Sequence, residues 1–228
     1  MKKTMIAALG AATMLATALP ASAQVSWYAA ASGGQARTNV EYVRSVEGGF
    51  STPVSVVTGH DLRDTGWRLT GGMRFTRNVA LEVSYADLGK ISTHTDGADL
   101  NYGQPFGLDI SRKVHGVGLD LVGSLPLASR FEVLGKLGVY RTTVRTDIAL
   151  TDSIFFSTAP DLRQRTIDGH EDIVHVGLGV QARLTPRWAV RVEAERFMDV
   201  GNGFRVGDPN GTGRADVDLA TVGVVFNF

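Results

Sequence analysis

Trp67-Arg68-Leu69-Thr70-Gly71-Gly72-Met73-Arg74-Phe75 alternates without a break, with apolar residues or glycine at odd positions and Arg, Thr, Gly and Arg at even ones. A period of two is the signature of a β-strand whose faces meet different surroundings. One face suits lipid and the other suits a polar interior. After the link Thr76-Arg77-Asn78, the alternation resumes with Val79, Leu81, Val83 and Tyr85 on one face and Ala80, Glu82, Ser84 and Ala86 on the other. Two such strands across a tight turn make a hairpin.

The same unit recurs twice. Val117, Leu119, Leu121 and Leu125 precede a turn over Pro126 to Arg130, followed by Phe131, Val133, Leu137 and Val139. Val174, Val176, Leu178, Val180 and Leu184 precede a turn at Thr185-Pro186-Arg187, followed by Trp188, Val190 and Val192. The ends add a strand from Trp27 to about Arg37, with Ala and Gly on both faces, and one from about Asp216 to Phe228, whose Val225 and Leu219 would point inward. The expectation is an all-β fold, an eight-stranded antiparallel up-and-down transmembrane β-barrel. Segments of roughly ten residues match the thickness crossed by a tilted strand.

Polar stretches rich in Gly, Asp, Ser, Thr and Asn lie between the hairpins, at about 38–65, 89–113, 143–172 and 199–215. They read as four long extracellular loops alternating with three short periplasmic turns, which puts both termini in the periplasm. Trp27, Phe75, Phe131, Trp188 and Phe228 fall at the short-turn or terminal ends of their strands, and Trp67 and Tyr85 at the opposite rim. Rings there form an aromatic girdle at the headgroups. A soluble barrel would reverse the faces and hide the apolar one.

Residues 1–23 begin with Lys2 and Lys3, continue through an apolar stretch from Met5 to Leu19 and end in Ala21-Ser22-Ala23. That pattern is a signal peptide, leaving 24–228 as the outer-membrane barrel. Its removal takes two of the 23 Lys+Arg and none of the 23 Asp+Glu, leaving 21 against 23 and a formal charge of −2. A nucleic-acid partner would need a basic surface. The absence of cysteine excludes a disulfide framework.

Trp27-Tyr28-Ala29-Ala30-Ala31, Asn78-Val79-Ala80-Leu81-Glu82-Val83-Ser84-Tyr85, Pro126-Leu127-Ala128-Ser129-Arg130-Phe131 and Phe226-Asn227-Phe228 resemble the barrel of OmpA/OmpX-type outer-membrane proteins. The resemblance implies a monomer in lipid and lipopolysaccharide, delivered by periplasmic chaperones and the barrel-assembly machinery, with Phe226 and Phe228 in the assembly signal. Ending at Phe228, the chain departs from full-length OmpA, so peptidoglycan anchoring is not expected.

Inward positions carry Arg68, Arg74, Lys136, Arg183 and Arg191 against Glu82, Asp120, Glu132, Glu193 and Glu195. An eight-stranded interior is just filled by side chains, and charges persist there only when paired. A lumen ion-pair network is therefore expected, with a narrow passive pore for ions or small solutes as the alternative. His175 faces the lumen, beyond His170, Glu171 and Asp172 at the rim, and His115 faces lipid or the interface, yet no spacing matches a lipid-deacylase or protease signature. His94, Asp96 and Asp99 fit no metal motif. The expected function is structural or surface interaction through the loops, in adhesion or envelope integrity, with a lipid-modifying enzyme ranked last; no cofactor or metal is expected.

Overall fold

The structure is a computed structural model that describes residues 25–39, 54–99, 105–151, 164–201 and 214–228. Nine strands appear in chain order: β1 (Ser26–Thr38), β2 (Val54–Asp61), β3 (Arg63–Arg74), β4 (Val79–Asp99), β5 (Pro105–Pro126), β6 (Phe131–Thr151), β7 (Gln164–Arg183), β8 (Trp188–Val200) and β9 (Ala215–Asn227). They make eight staves. Both β2 and β3 pair with β4, at Val54↔Asp99 to Asp61↔Ser92 and at Trp67↔Asp87 to Arg74↔Ala80, and so form one stave interrupted at Leu62. The ring closes where β1 runs antiparallel to β9, from Tyr28↔Asn227 to Thr38↔Val217. The short turns are tied by backbone bonds such as Phe75 N–H to Val79 O at 3.0 Å and Leu184 N–H to Trp188 O at 2.9 Å.

Polarity inverts partway along each long strand. On β6, Val133, Leu137 and Val139 point outward while Glu132 and Lys136 point inward; farther on, Arg141, Arg145 and Asp147 point outward over buried Thr142, Val144 and Thr146. On β5, Val117, Leu119 and Leu121 give way outward to Lys113 and Asp109, with Val114, Ile110 and Leu108 buried. The short-turn half of each long stave has the face pattern of a membrane barrel and the other half that of a soluble one. From Phe131 to Val139, at roughly 3.3 Å per residue and a tilt of about 40°, the apolar belt is about 20 Å high. By the same geometry, Val139 to Thr151 carries the strand about 30 Å farther.

Those extensions correct the reading of 89–113 and 143–172 as loops. Strand β4 continues to Asp99, β5 begins at Pro105, β6 runs to Thr151 and β7 starts at Gln164. Segment 38–65 shrinks in the same way, with β2 and the start of β3 inside it; 40–53 and 202–213 lie outside the described residues. Two causes hide the strands from a period-two reading. One is the inversion. The other is a β-bulge between Asp87 and Lys90 that moves the inward set from Glu82, Ser84, Ala86 and Leu88 to Ile91, Thr93 and Thr95. Gly89 holds the bulge at φ 78°, a backbone region that favours glycine. The Asp64 carboxylate secures it by accepting Lys90 N–H at 2.6 Å and Thr65 N–H at 2.7 Å.

Small residues inside the barrel sit opposite large ones. Tyr28 pairs with Gly72, Tyr140 with Gly118 and Asp120 with Gly138, and a Cβ on any of the three glycines would strike the facing side chain. Gly118→Leu should displace Tyr140 and destabilise the barrel by about 1–3 kcal/mol, the usual cost of overpacking. Urea unfolding in lipid vesicles would measure the loss, and an unchanged midpoint would show that the ring does not depend on that space.

Candidate functional site

Three layers fill the interior. At the short-turn end, Tyr28, Ala80, Val122, Leu134, Ala189 and Val225 form an apolar cluster. Beyond the middle, Ala86, Leu88, Val114, Tyr140, Val144, Ile173, Phe197 and Leu219 belong to a second one. Between them lies a charged layer supplied by strands on opposite walls. Arg68 of β3 donates to Glu195 and, at 2.5 Å, to Glu193 of β8. Lys136 Nζ of β6 lies 2.7 Å from Glu82 and 2.5 Å from Glu193. Arg191 donates to Glu82 at 2.6 Å and to Gln181 at 2.8 Å. These charges are at most 5% exposed. Buried ions tolerate such a place only when each faces a partner.

His175 completes the layer. Its Nδ1 lies 2.8 Å from Asp120 and its Nε2 3.6 Å from Glu195, and the residue has no exposure. Arg68, Lys136 and Arg191 face Glu82, Asp120, Glu193 and Glu195, so a protonated His175 would make the count four against four. Ser84 shares a hydrogen bond with Tyr140 and reaches Asp120 at 3.5 Å. Ser, His and Asp therefore meet, but in the wrong order for a nucleophilic triad: hydroxyl and imidazole both address the carboxylate, whereas a base must face the hydroxyl.

Not every charge expected in the network joins it. Arg74 and Glu132 pair at 3.3 Å near the short-turn mouth and are tied to the layer only through Gln181, which donates to Glu132 at 2.5 Å and accepts from Arg191. Arg183 is a correction. Its inward phase was read properly, but it stands at the last position of β7, beyond the packed layer, and is exposed. It borders a recess of about 20 Å³ with Arg130 and Glu132, room for about one water. Tyr28, Tyr140 and Gln181 are members that sequence reasoning missed. Inward phase was the available signal for all three; Tyr28 escaped because the Ala and Gly around it blur the two faces of β1.

Outward, Trp27, Trp67, Tyr85, Phe131 and Trp188 are exposed, and Phe75 is half-buried at a turn. Trp67 and Tyr85 pack with centroids 5.3 Å apart. At the terminal end, Phe226 lies 4.8 Å from Trp188 and 5.2 Å from Phe228, whose N–H donates to Trp27 O at 3.1 Å. His115 faces outward near Tyr85, and His170 is exposed beside Thr143. His94 contacts Asp109 through Nδ1 at 2.5 Å and Asp96 through Nε2 at 3.2 Å, so carboxylates occupy both ring nitrogens. The Asp109 bond, then the charges of Asp109 and Asp96, raise its pKa above the ordinary imidazole value. The Asp99 side chain and residues 1–23, read from the sequence as a signal peptide, lie outside the described residues. Among those residues no group of His, Asp and Glu is arranged to hold a metal ion.

Lys136→Met should leave Glu82 and Glu193 short of a cation and cost on the order of 3–5 kcal/mol, as for a broken buried pair. Lys136→Met with Glu193→Gln removes one charge of each sign and should recover much of that loss. Urea unfolding in vesicles distinguishes these outcomes; equal stability of all three proteins would mean that water already solvates the layer.

The chain matches the model of the outer membrane protein beta-barrel domain family over residues 5–228. No curated protein matches it. It is similar to the crystal structure of Neisserial surface protein A at 15% identity and TM-score 0.48, covering 90% of this chain and 99% of that one. It is also similar to a major outer membrane protein of Thermus thermophilus at 14% identity and TM-score 0.49, covering 90% and 100%. For the N-terminal barrel of Pseudomonas aeruginosa OprF the figures are 13%, 0.43, 89% and 97%. With the family pattern running from residue 5 to the last strand and the ring closed between β1 and β9, the chain belongs to the outer-membrane β-barrel family.

Proposed function

We propose that this protein is a non-conducting outer-membrane barrel that acts at the cell surface, through the strand extensions as well as the segments joining them. The observation that carries this reading is the polarity inversion: within the belt the charged side chains are locked inside, whereas beyond it they face outward, except Arg112, which is buried inside and donates to Val200 O at 2.6 Å. Asp61, His94, Asp109, Ser111, Asp147 and Thr166 border a recess of about 570 Å³ on the outer face of the extension. That size suits a ligand site. The short turns and both termini then belong to the periplasm, where exposed Phe228 is available to the assembly machinery. A pore reading is disfavoured by the apolar layers above and below the ions, and a hydrolase reading by the burial of His175.

Planar bilayers containing the purified barrel should show no steady single-channel steps; large, regular steps would replace this reading with the pore. Ser111→Cys should react with an impermeant maleimide on intact cells and Ser129→Cys should not, and the reverse pattern would invert the orientation. Deleting 95–108 shortens the β4–β5 hairpin without touching the belt. It should lower whole-cell binding to a panel of host-matrix proteins, phage and glycans, and unchanged binding across the panel would remove the surface role from this hairpin.

A further inference from the structure

Arg37 and Arg63 stand directly opposite each other across β1 and β3, both outward and both exposed. Like charges in that position destabilise a sheet, and among the described residues neither guanidinium has an ion pair. The carboxylates nearby are committed elsewhere. Asp218, the β9 partner of Arg37, forms a forked pair with Arg196 at 2.6 and 2.9 Å. Asp64 holds the backbone of the bulge, and Asp61 accepts the N–H of Arg63 at 3.3 Å. Of the three arginines only Arg196 has an ion pair among the described residues.

Their height is set by the belt. Trp67 lies two outward positions below Arg63, and Val192 two below Arg196, which puts the guanidinium ends within reach of the headgroups just outside the apolar band. A trough leads down from them. Because the staves tilt, the register row that holds Arg37, Asp218 and Arg196 continues through Val176 and Leu137 to Leu121 inside the belt. The next row down reads Gln35, Ala220, Ala194, Leu178, Gly135 and Gly123. Its alanines and glycines leave a groove of about 900 Å³, bordered by Arg37, Arg196 and Asp218 at its upper end and by Leu121, Leu137 and Leu178 farther down. Five strand spacings of about 4.8 Å make it roughly 24 Å long.

We infer that Arg37, Arg63 and Arg196 bind the phosphate of an anionic membrane lipid, one with no headgroup cation to neutralise it, whose acyl chain lies in this descending groove. A guanidinium fork matches phosphate oxygens in pairs, and a bound phosphate turns the opposed arginines from a repulsion into a clamp. The chain's apolar length explains why the groove continues into the belt. Under the orientation proposed above the lipid belongs to the outer leaflet, but the site itself does not depend on that orientation.

The test uses the full barrel folded into phosphatidylcholine vesicles with or without phosphatidylglycerol, comparing wild type, Arg37→Gln/Arg63→Gln, and Arg141→Gln/Arg145→Gln, which removes the same charge elsewhere on the outer face. Thermal unfolding read by gel mobility should show that phosphatidylglycerol stabilises wild type and the control pair and leaves the Arg37/Arg63 pair unaffected, since a ligand stabilises only the state that binds it. In pure phosphatidylcholine the Arg37/Arg63 variant should be at least as stable as wild type, which separates a lost site from a damaged fold. Mass spectrometry of wild type released from phosphatidylglycerol vesicles should find the lipid retained about tenfold more than on the variant, the loss of roughly one charge-assisted contact. Equal stabilisation of all three proteins would overturn the inference. So would full replacement of the effect by inorganic phosphate, which would reduce the site to an anion clamp without an acyl groove.

Discussion

Inside a bilayer no water is present to satisfy a backbone N–H or C=O, so every strand must be paired on both sides. The contact between β1 and β9 meets that demand last, and the rest of the molecule follows from it. Closing eight staves fixes an interior just wide enough for side chains, and the tilt that closure imposes turns each register row into a rising spiral. The lumen layers and the sloping outer groove are consequences of one geometric condition. Glycines opposite Tyr28, Tyr140 and Asp120 allow bulky groups to enter that narrow space without spreading the wall.

Within the ring, the charged layer is held by opposition. Arg68 reaches across to Glu193 and Glu195, and Lys136 to Glu82 and Glu193, so walls far apart in sequence are tied through the centre. Apolar clusters on either side keep water from competing for these ions. Such pairs add little net stability over a well-packed apolar filling. Their effect is on register: a one-residue slip of β8 would send Glu193 and Glu195 to the lipid face.

The belt was legible in the sequence because lipid and lumen demand opposite chemistry from neighbouring residues, and Leu69, Leu81, Leu137 and Val192 declare it plainly. Beyond the belt the same demand reverses. Ile91, Thr93, Val144 and Ile167 point inward beneath polar neighbours, and the bulge at Gly89 shifts the phase as well, so continuous strands look like loops. Arg183 shows a different limit: alternation gives the face of a residue but not its height, and one step past the packed layer separates a buried ion from an exposed one. Tyr28 was lost among the alanines of β1 for the converse reason, since nothing on the opposite face contrasts with it.

Each stave changes its surroundings at one level, lipid outside below and water outside above, around a packed interior. Site-directed spin labels placed one at a time along β6, from Val133 to Asp147, would test it most directly by collision with oxygen and with a water-soluble nickel complex; the chain has no cysteine of its own to interfere. Outward positions through Val139 should collide with oxygen and those from Arg141 onward with nickel, while Leu134 and Val144 meet neither. Nickel collisions at Leu134 or Val144, or lipid-like values at Thr143 and Arg145, would contradict it.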